Sequence, residues 1–172
     1  PFTYKHSLQE ITNSDIEFEH VSFTYPESEN EVIHDVNLKI KSGSIVAFVG
    51  KSGGGKSTLV SLIPRFYDVT KGTIKIGGVD VKEISEKELM SKISFVFQDS
   101  RLLKKSFKEN IKMGSNASVE DIQTAVHKAQ CDDIIEKFDQ GLETKIGSKG
   151  VYLSGGETQR LTLARAIVKD AP

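Results

Sequence analysis

The sequence predicts an α/β fold, with strands gathered in the first half and helices in the second. Three observations carry that prediction. An apolar run, Ser44–Val49 (SIVAFV), leads through a glycine-rich loop into Leu59–Ile63, which reads as a helix halted at Pro64. Two earlier segments, Ile16–Tyr25 and Val36–Lys41, alternate apolar and polar residues as half-buried antiparallel strands do. From Phe107 to Phe138 the apolar spacing becomes helical, and a second glycine run, Leu153–Arg160 (LSGGETQR), opens a further helix.

In chain order, Pro1–Ser14 is polar and irregular and reads as a linker arriving from an upstream domain. Gly50–Thr58 (GKSGGGKST) matches the pattern G-x-x-x-x-G-K-[ST], with Gly50, Gly55, Lys56 and Ser57 in place and Lys51 and Ser52 in the variable positions. Gly53, Gly54 and Gly55 let successive backbone N–H groups converge on phosphate oxygens, and the helix that follows adds its positive dipole end. Lys56 then supplies a cation to the β- and γ-phosphates, and Ser57 a hydroxyl to Mg²⁺. A plain glycine turn with a chance lysine is the competing reading; the strand before and the helix after argue against it.

Further on, Thr73–Ile76 with Gly77-Gly78 reads as strand and turn, and Ser85 with Glu88 as a capping box starting a helix to about Ser91. Ile93–Phe97 (ISFVF) reads as an apolar strand ended by Gln98. In the helical block Ser118 is a candidate cap, with Ile122, Ala125, Val126 and Ala129 on one face. Lys104, Lys105 and Lys108 read as a solvated helix start rather than a lipid or RNA contact. In the last segment Ser154 and Glu157 form a capping box ahead of Thr158–Lys169, where Leu161, Leu163, Ala164, Ile167 and Val168 recur at helical spacing. Two glycines in a first helical turn are poor helix formers, and close approach of an anion to the helix start is one reason to keep them.

These two glycine motifs together resemble the nucleotide-binding domain of ABC transporters. Gly50–Ser57 is similar to that family's Walker A loop, and Leu153, Ser154, Gly155, Gly156 and Glu157 to its signature motif, usually LSGGQ. The resemblance implies a P-loop NTPase core, a parallel sheet with an antiparallel β subdomain, plus a helical subdomain carrying the signature. It divides the chain into residues 15–98 (ATP-binding core), 99–153 (helical subdomain) and 154–172 (signature helix). Tyr25, in Phe23-Thr24-Tyr25-Pro26, stands where the family has an aromatic residue stacking on adenine; read alone, it is as readily a packing residue. Gln98 stands where the family has the Q-loop glutamine, which touches Mg²⁺ and the attacking water. The implied ligands are ATP, held by Tyr25 and residues 50–58, and Mg²⁺, held by Ser57 and Gln98; Lys56 and Gln98 take the catalytic roles. The implied partners are a second nucleotide-binding domain, whose signature closes over the ATP, and a transmembrane domain, which places the chain at the cytoplasmic face of the cell membrane. Gly141–Gly150 (GLETKIGSKG) resembles the X-loop of exporter-type members, with Thr144, Gly147 and Gly150 in place and Ser148 where the family has glutamate. Glu157 replaces the commoner glutamine of the signature.

The chain ends at Asp170-Ala171-Pro172, ahead of the position where the family has the strand with its Mg²⁺-binding aspartate and the water-polarising glutamate. The resemblance therefore implies an incomplete ATPase, inactive by itself, whose absent strand lies beside Ile45–Val49. His6, His20, His34 and His127 all precede the signature, so none matches the family's switch histidine by order. Two other classes stay open: a soluble ABC-type ATPase of repair or translation, and a non-catalytic nucleotide-binding module. The X-loop-like segment, and the lack of a coiled-coil insertion between the two glycine motifs, argue against the first.

Composition sets the bounds. The 172 residues suit one domain, possibly with a subdomain, and the formal net charge of −1 gives no argument for nucleic acid or an anionic membrane surface. The lone Cys131 excludes an internal disulfide framework and reads as a packing residue in a reducing compartment. No apolar run approaches the roughly twenty residues of a spanning helix. There is no signal-peptide pattern, and a start at Pro1 reads as a segment of a longer chain.

Overall fold

The computed structural model describes residues 11–147 and 150–172, in two compact units: residues 11–93, joined by Pro172, and residues 94–171. Each is built around its own apolar core. The linker expected at 1–14 lies outside the described residues up to position 10.

In the first unit a four-stranded antiparallel sheet has the order β2-β1-β3-β4, from β1 (Ile16–Thr24), β2 (Glu31–Ile40), β3 (Lys71–Ile76) and β4 (Val79–Asp80). β1 is the hub, pairing with β2 on one side and β3 on the other. Its alternation slips at His20, which takes φ 50 opposite a register shift, so that Phe18 and then Val21 and Phe23 all turn inward. Glycine is required alongside: at Gly72 (φ +78) a Cβ would lie 2.2 Å from the His20 carbonyl oxygen. Helix α1 (Lys56–Leu62) buries Leu59 and Leu62 in the same core, and α2 (Glu86–Lys92) buries Leu89. Ser85 accepts the Glu88 N–H and so caps α2.

Two expected strands are not formed. Ser44–Val49 is in no ladder, and Ile45 and Val49 are exposed at 101% and 94%; of that run Phe48 packs against the core. Ile93–Phe97 likewise does not form a strand, and Phe97 is half exposed. Apolar β-branched sequence favours extended backbone, but a strand is stabilised by its neighbours' ladder hydrogen bonds, and neither segment is part of a described ladder. The sheet present is antiparallel throughout; the parallel sheet is not formed by the described residues.

In the second unit α3 (Phe107–Lys112), α4 (Val119–Lys128), α5 (Asp132–Glu136) and α6 (Gly155–Val168) enclose a core of Phe107, Ile111, Ile122, Ala125, Val126, Ala129, Cys131, Ile134, Leu161 and Ala164. The expected face of α4 is the buried one. On α6, Leu161 and Ala164 face inward while Leu163 is exposed, so one member of the expected apolar set lies on the outer face. Full capping boxes start three of these helices: Ser106/Glu109, Ser118/Asp121 and Ser154/Glu157.

Candidate functional site

The glycine loop enters α1 with Gly53 at φ +76 and Gly55 at φ +78, both in the left-handed region open to glycine. Gly55 is the N-cap, and a Cβ on it would meet Ile33 Cδ1 at 2.8 Å and the Val32 carbonyl oxygen at 3.0 Å. The loop thus lies against β2 with no room for a side chain there. No side chain caps α1, so its first N–H groups are left to an incoming acceptor. Lys56 folds back over the loop: its Nζ donates to the carbonyl oxygens of Gly50 at 2.9 Å and Lys51 at 2.7 Å. The cation and the helix start therefore converge on the same short loop, the arrangement that favours a polyanion.

Lys51, Ser52, Gly53, Gly54 and Ser57 are exposed, Gly55 and Thr58 buried. Ser57 stands in the first turn of α1, a single hydroxyl oxygen that fits Mg²⁺ arriving on phosphates. Among the described residues no group of three His, Cys, Asp or Glu side chains could hold a metal alone. Tyr25 follows β1 and reaches the same helix, its hydroxyl 2.9 Å from Thr58 Oγ1. Its ring meets Phe23 and Tyr67 edge-on, with centroids 4.8 and 5.2 Å away. That clasp joins two residues far apart in sequence, and neither the hydroxyl pair nor Tyr67 was legible as part of the site.

The other candidates belong to the second unit. Gln98 is exposed in a loop. Ser154 starts α6: its Oγ accepts the Glu157 N–H at 3.3 Å, and its own N–H donates to Glu157 Oε2 at 2.7 Å. The Ser154 N–H and hydroxyl, with Lys137 Nζ 3.4 Å away, hold the Glu157 carboxyl below its usual range. A Cβ built on Gly155 or Gly156 would meet nothing within 4 Å, so packing inside this chain does not require either glycine. Leu153 is half-buried against the helical core. Of the X-loop-like residues, Thr144 is buried and its carbonyl oxygen accepts the Phe107 N–H at 3.0 Å. The Gly150 N–H donates to the Gly147 carbonyl oxygen at 2.7 Å, and Ser148 lies outside the described residues. No described helix is long and apolar enough to cross a membrane.

A profile of the ABC transporter family matches residues 33–172. The chain belongs to the ABC transporter family. It is 45% identical over 158 residues to "Putative multidrug export ATP-binding/permease protein YgaD" of Bacillus subtilis, covering 91% of this chain and 27% of that protein. A similarly named protein of Staphylococcus aureus is 45% identical over 164 residues, with 95% and 28% covered. The chain thus spans about a quarter of the length of these relatives. Among solved structures it is similar to a bacterial Atm1-family ABC exporter with ATP bound, at TM-score 0.88 and 35% identity, covering 99% of this chain and 30% of that one.

Proposed function

We propose that this chain is the ATP-binding part of an exporter-type ABC transporter, a P-loop core at residues 15–98 with a helical subdomain at 99–153 and the signature helix at 154–172. The intact protein binds MgATP, pairs with a second nucleotide-binding domain, and hydrolyses ATP to drive a membrane domain from the cytoplasmic face. The observation that carries this reading is the Gly50–Thr58 loop, with its left-handed glycines, uncapped helix start and Lys56 folded over two loop carbonyls.

Each residue then has a task. Backbone N–H groups of residues 50–57 and the Lys56 ammonium bind the phosphates, Lys56 exchanging two carbonyl partners for phosphate oxygens. Mg²⁺, once bound at Ser57 and Gln98, offsets phosphate charge. Gln98 orients the attacking water, Tyr25 receives adenine, and Ser154, Gly155 and Gly156 meet the ATP of the opposing domain. The two glycines support the last role: in a helix each costs about 1 kcal/mol relative to alanine, with no compensating contact in this chain. Relatives named as export ATP-binding/permease proteins favour an exporter over a soluble repair or translation ATPase.

ATP hydrolysis by the intact protein in lipid tests the reading. Lys56→Ala is expected to lower turnover by about 10²-fold or more, as loss of a main charge-stabilising group does. Turnover indifferent to that substitution would contradict it.

A further inference from the structure

Both flanks of the Gln98 loop are fastened to neighbouring residues of α6. Before it, Ser94 Oγ donates to the Ala166 carbonyl oxygen at 3.0 Å. After it, Arg165 Nη1 donates to the Arg101 carbonyl oxygen at 3.4 Å. The second tie is part of a buried polar knot centred on Asn110 of α3, a side chain only 1% exposed. Asn110 Nδ2 donates to the carbonyl oxygens of Leu103 at 3.0 Å and Ser106 at 2.9 Å. Its Oδ1 accepts the Leu103 N–H at 2.7 Å and Arg165 Nη2 at 3.2 Å, and Arg165 Nε donates to the Asn110 carbonyl oxygen at 2.8 Å. A carboxamide can both donate to and accept from one loop residue, and a guanidinium fork can reach two main-chain carbonyls and that carboxamide together. No apolar filler or simple cation could replace the pair.

We infer that Asn110 and Arg165 are positioning residues that hold the Gln98 loop in register with α6, so that the loop and the Ser154–Glu157 end move as one body. The inference rests on the proposed reading of those two segments as ATP-facing. From Arg165 to Ser154 is 11 residues of helix, about 16 Å at 1.5 Å per residue, and a hydrogen-bonded rod carries displacement over that length. Room for the loop to shift without the knot is present: a cavity of about 250 Å³ lies between it and α6, lined by Phe95, Phe97, Asp99, Thr162 and Arg165. The phosphate loop belongs to the other unit, so loosening the knot touches turnover rather than ATP capture.

The test is steady-state ATP hydrolysis by the intact protein in lipid. Asn110→Asp keeps the shape but removes the Nδ2 donors, and Arg165→Lys keeps the charge but removes the fork. Each is expected to lower kcat about tenfold or more, the sensitivity expected of misplaced groups, with KM for ATP within about threefold. The double variant falls no further than the worse single one. Unchanged kcat, a KM that rises in step with the loss, or multiplicative effects would overturn the inference. So would failure of both variants to accumulate as folded protein, which would make the knot scaffolding only. Absence of Lys56-dependent hydrolysis in the unsubstituted protein overturns the functional reading and this inference with it; normal hydrolysis with unaffected variants overturns the inference alone.

Discussion

The Tyr25 hydroxyl lies 2.9 Å from Thr58 Oγ1, two residues beyond Lys56 in the same helix. On the proposed reading, this ties the ring that receives adenine to the helix that receives phosphate. A neutral hydrogen bond of this kind contributes about 0.5–1.5 kcal/mol. Tyr25→Phe and Thr58→Val are each expected to weaken ATP binding by the intact protein about two- to tenfold, with the double variant no weaker than either. Equilibrium titration with ATP decides it; independent, multiplicative losses would show that the hydroxyl pair does not act as a unit. At this scale the glycine turn into α1 was legible, because G-x-x-x-x-G-K-[ST] is a local pattern; the phosphate role of Lys56 and Ser57 stays part of the proposal. Asn110 and Arg165 gave no such signal, since their partnership spans 55 positions and depends on how α3 meets α6.

Among the elements, the capping boxes were legible where a serine precedes an acidic residue by three positions at a change of periodicity. Ser154/Glu157 was legible as a box and Ser118 as a cap without its Asp121 partner; Ser85/Glu88 forms only the serine half of the expected box, and Ser106/Glu109 was missed although it carries the same spacing. In the three full boxes, the serine N–H and then its hydroxyl hold the carboxyl below its ordinary value, 4.5 for Glu109 and Glu157 and 3.8 for Asp121. A carboxyl depressed on folding stabilises fully above its unfolded value, and that stabilisation is lost as pH falls through the lower folded value. The urea midpoint of the helical unit is thus expected to drop between about pH 5 and pH 3, less steeply in Ser118→Ala. A midpoint flat across that window would contradict the account. Strand sequence was a poorer guide: Ser44–Val49 and Ile93–Phe97 have the composition of buried strands, but composition does not supply the ladder partner a strand requires.

Across the molecule, the α/β character and the passage from sheet to helices were legible from periodicity, because each core draws on its own run of alternating or helical residues. Burial also explains Cys131. Its thiol is fully enclosed in the helical core and pushed up to about 11 by desolvation, so it packs rather than reacts. The central claim is that the loop at Gly50–Thr58 receives the phosphates of ATP. A structure of the intact protein with a non-hydrolysable ATP analogue and Mg²⁺ tests it most directly. The account predicts phosphate oxygens on the backbone N–H groups of residues 53–57, with Lys56 Nζ released from the Gly50 and Lys51 carbonyls to bind them. A nucleotide seated elsewhere, with Lys56 still bound to those two carbonyls, would contradict it.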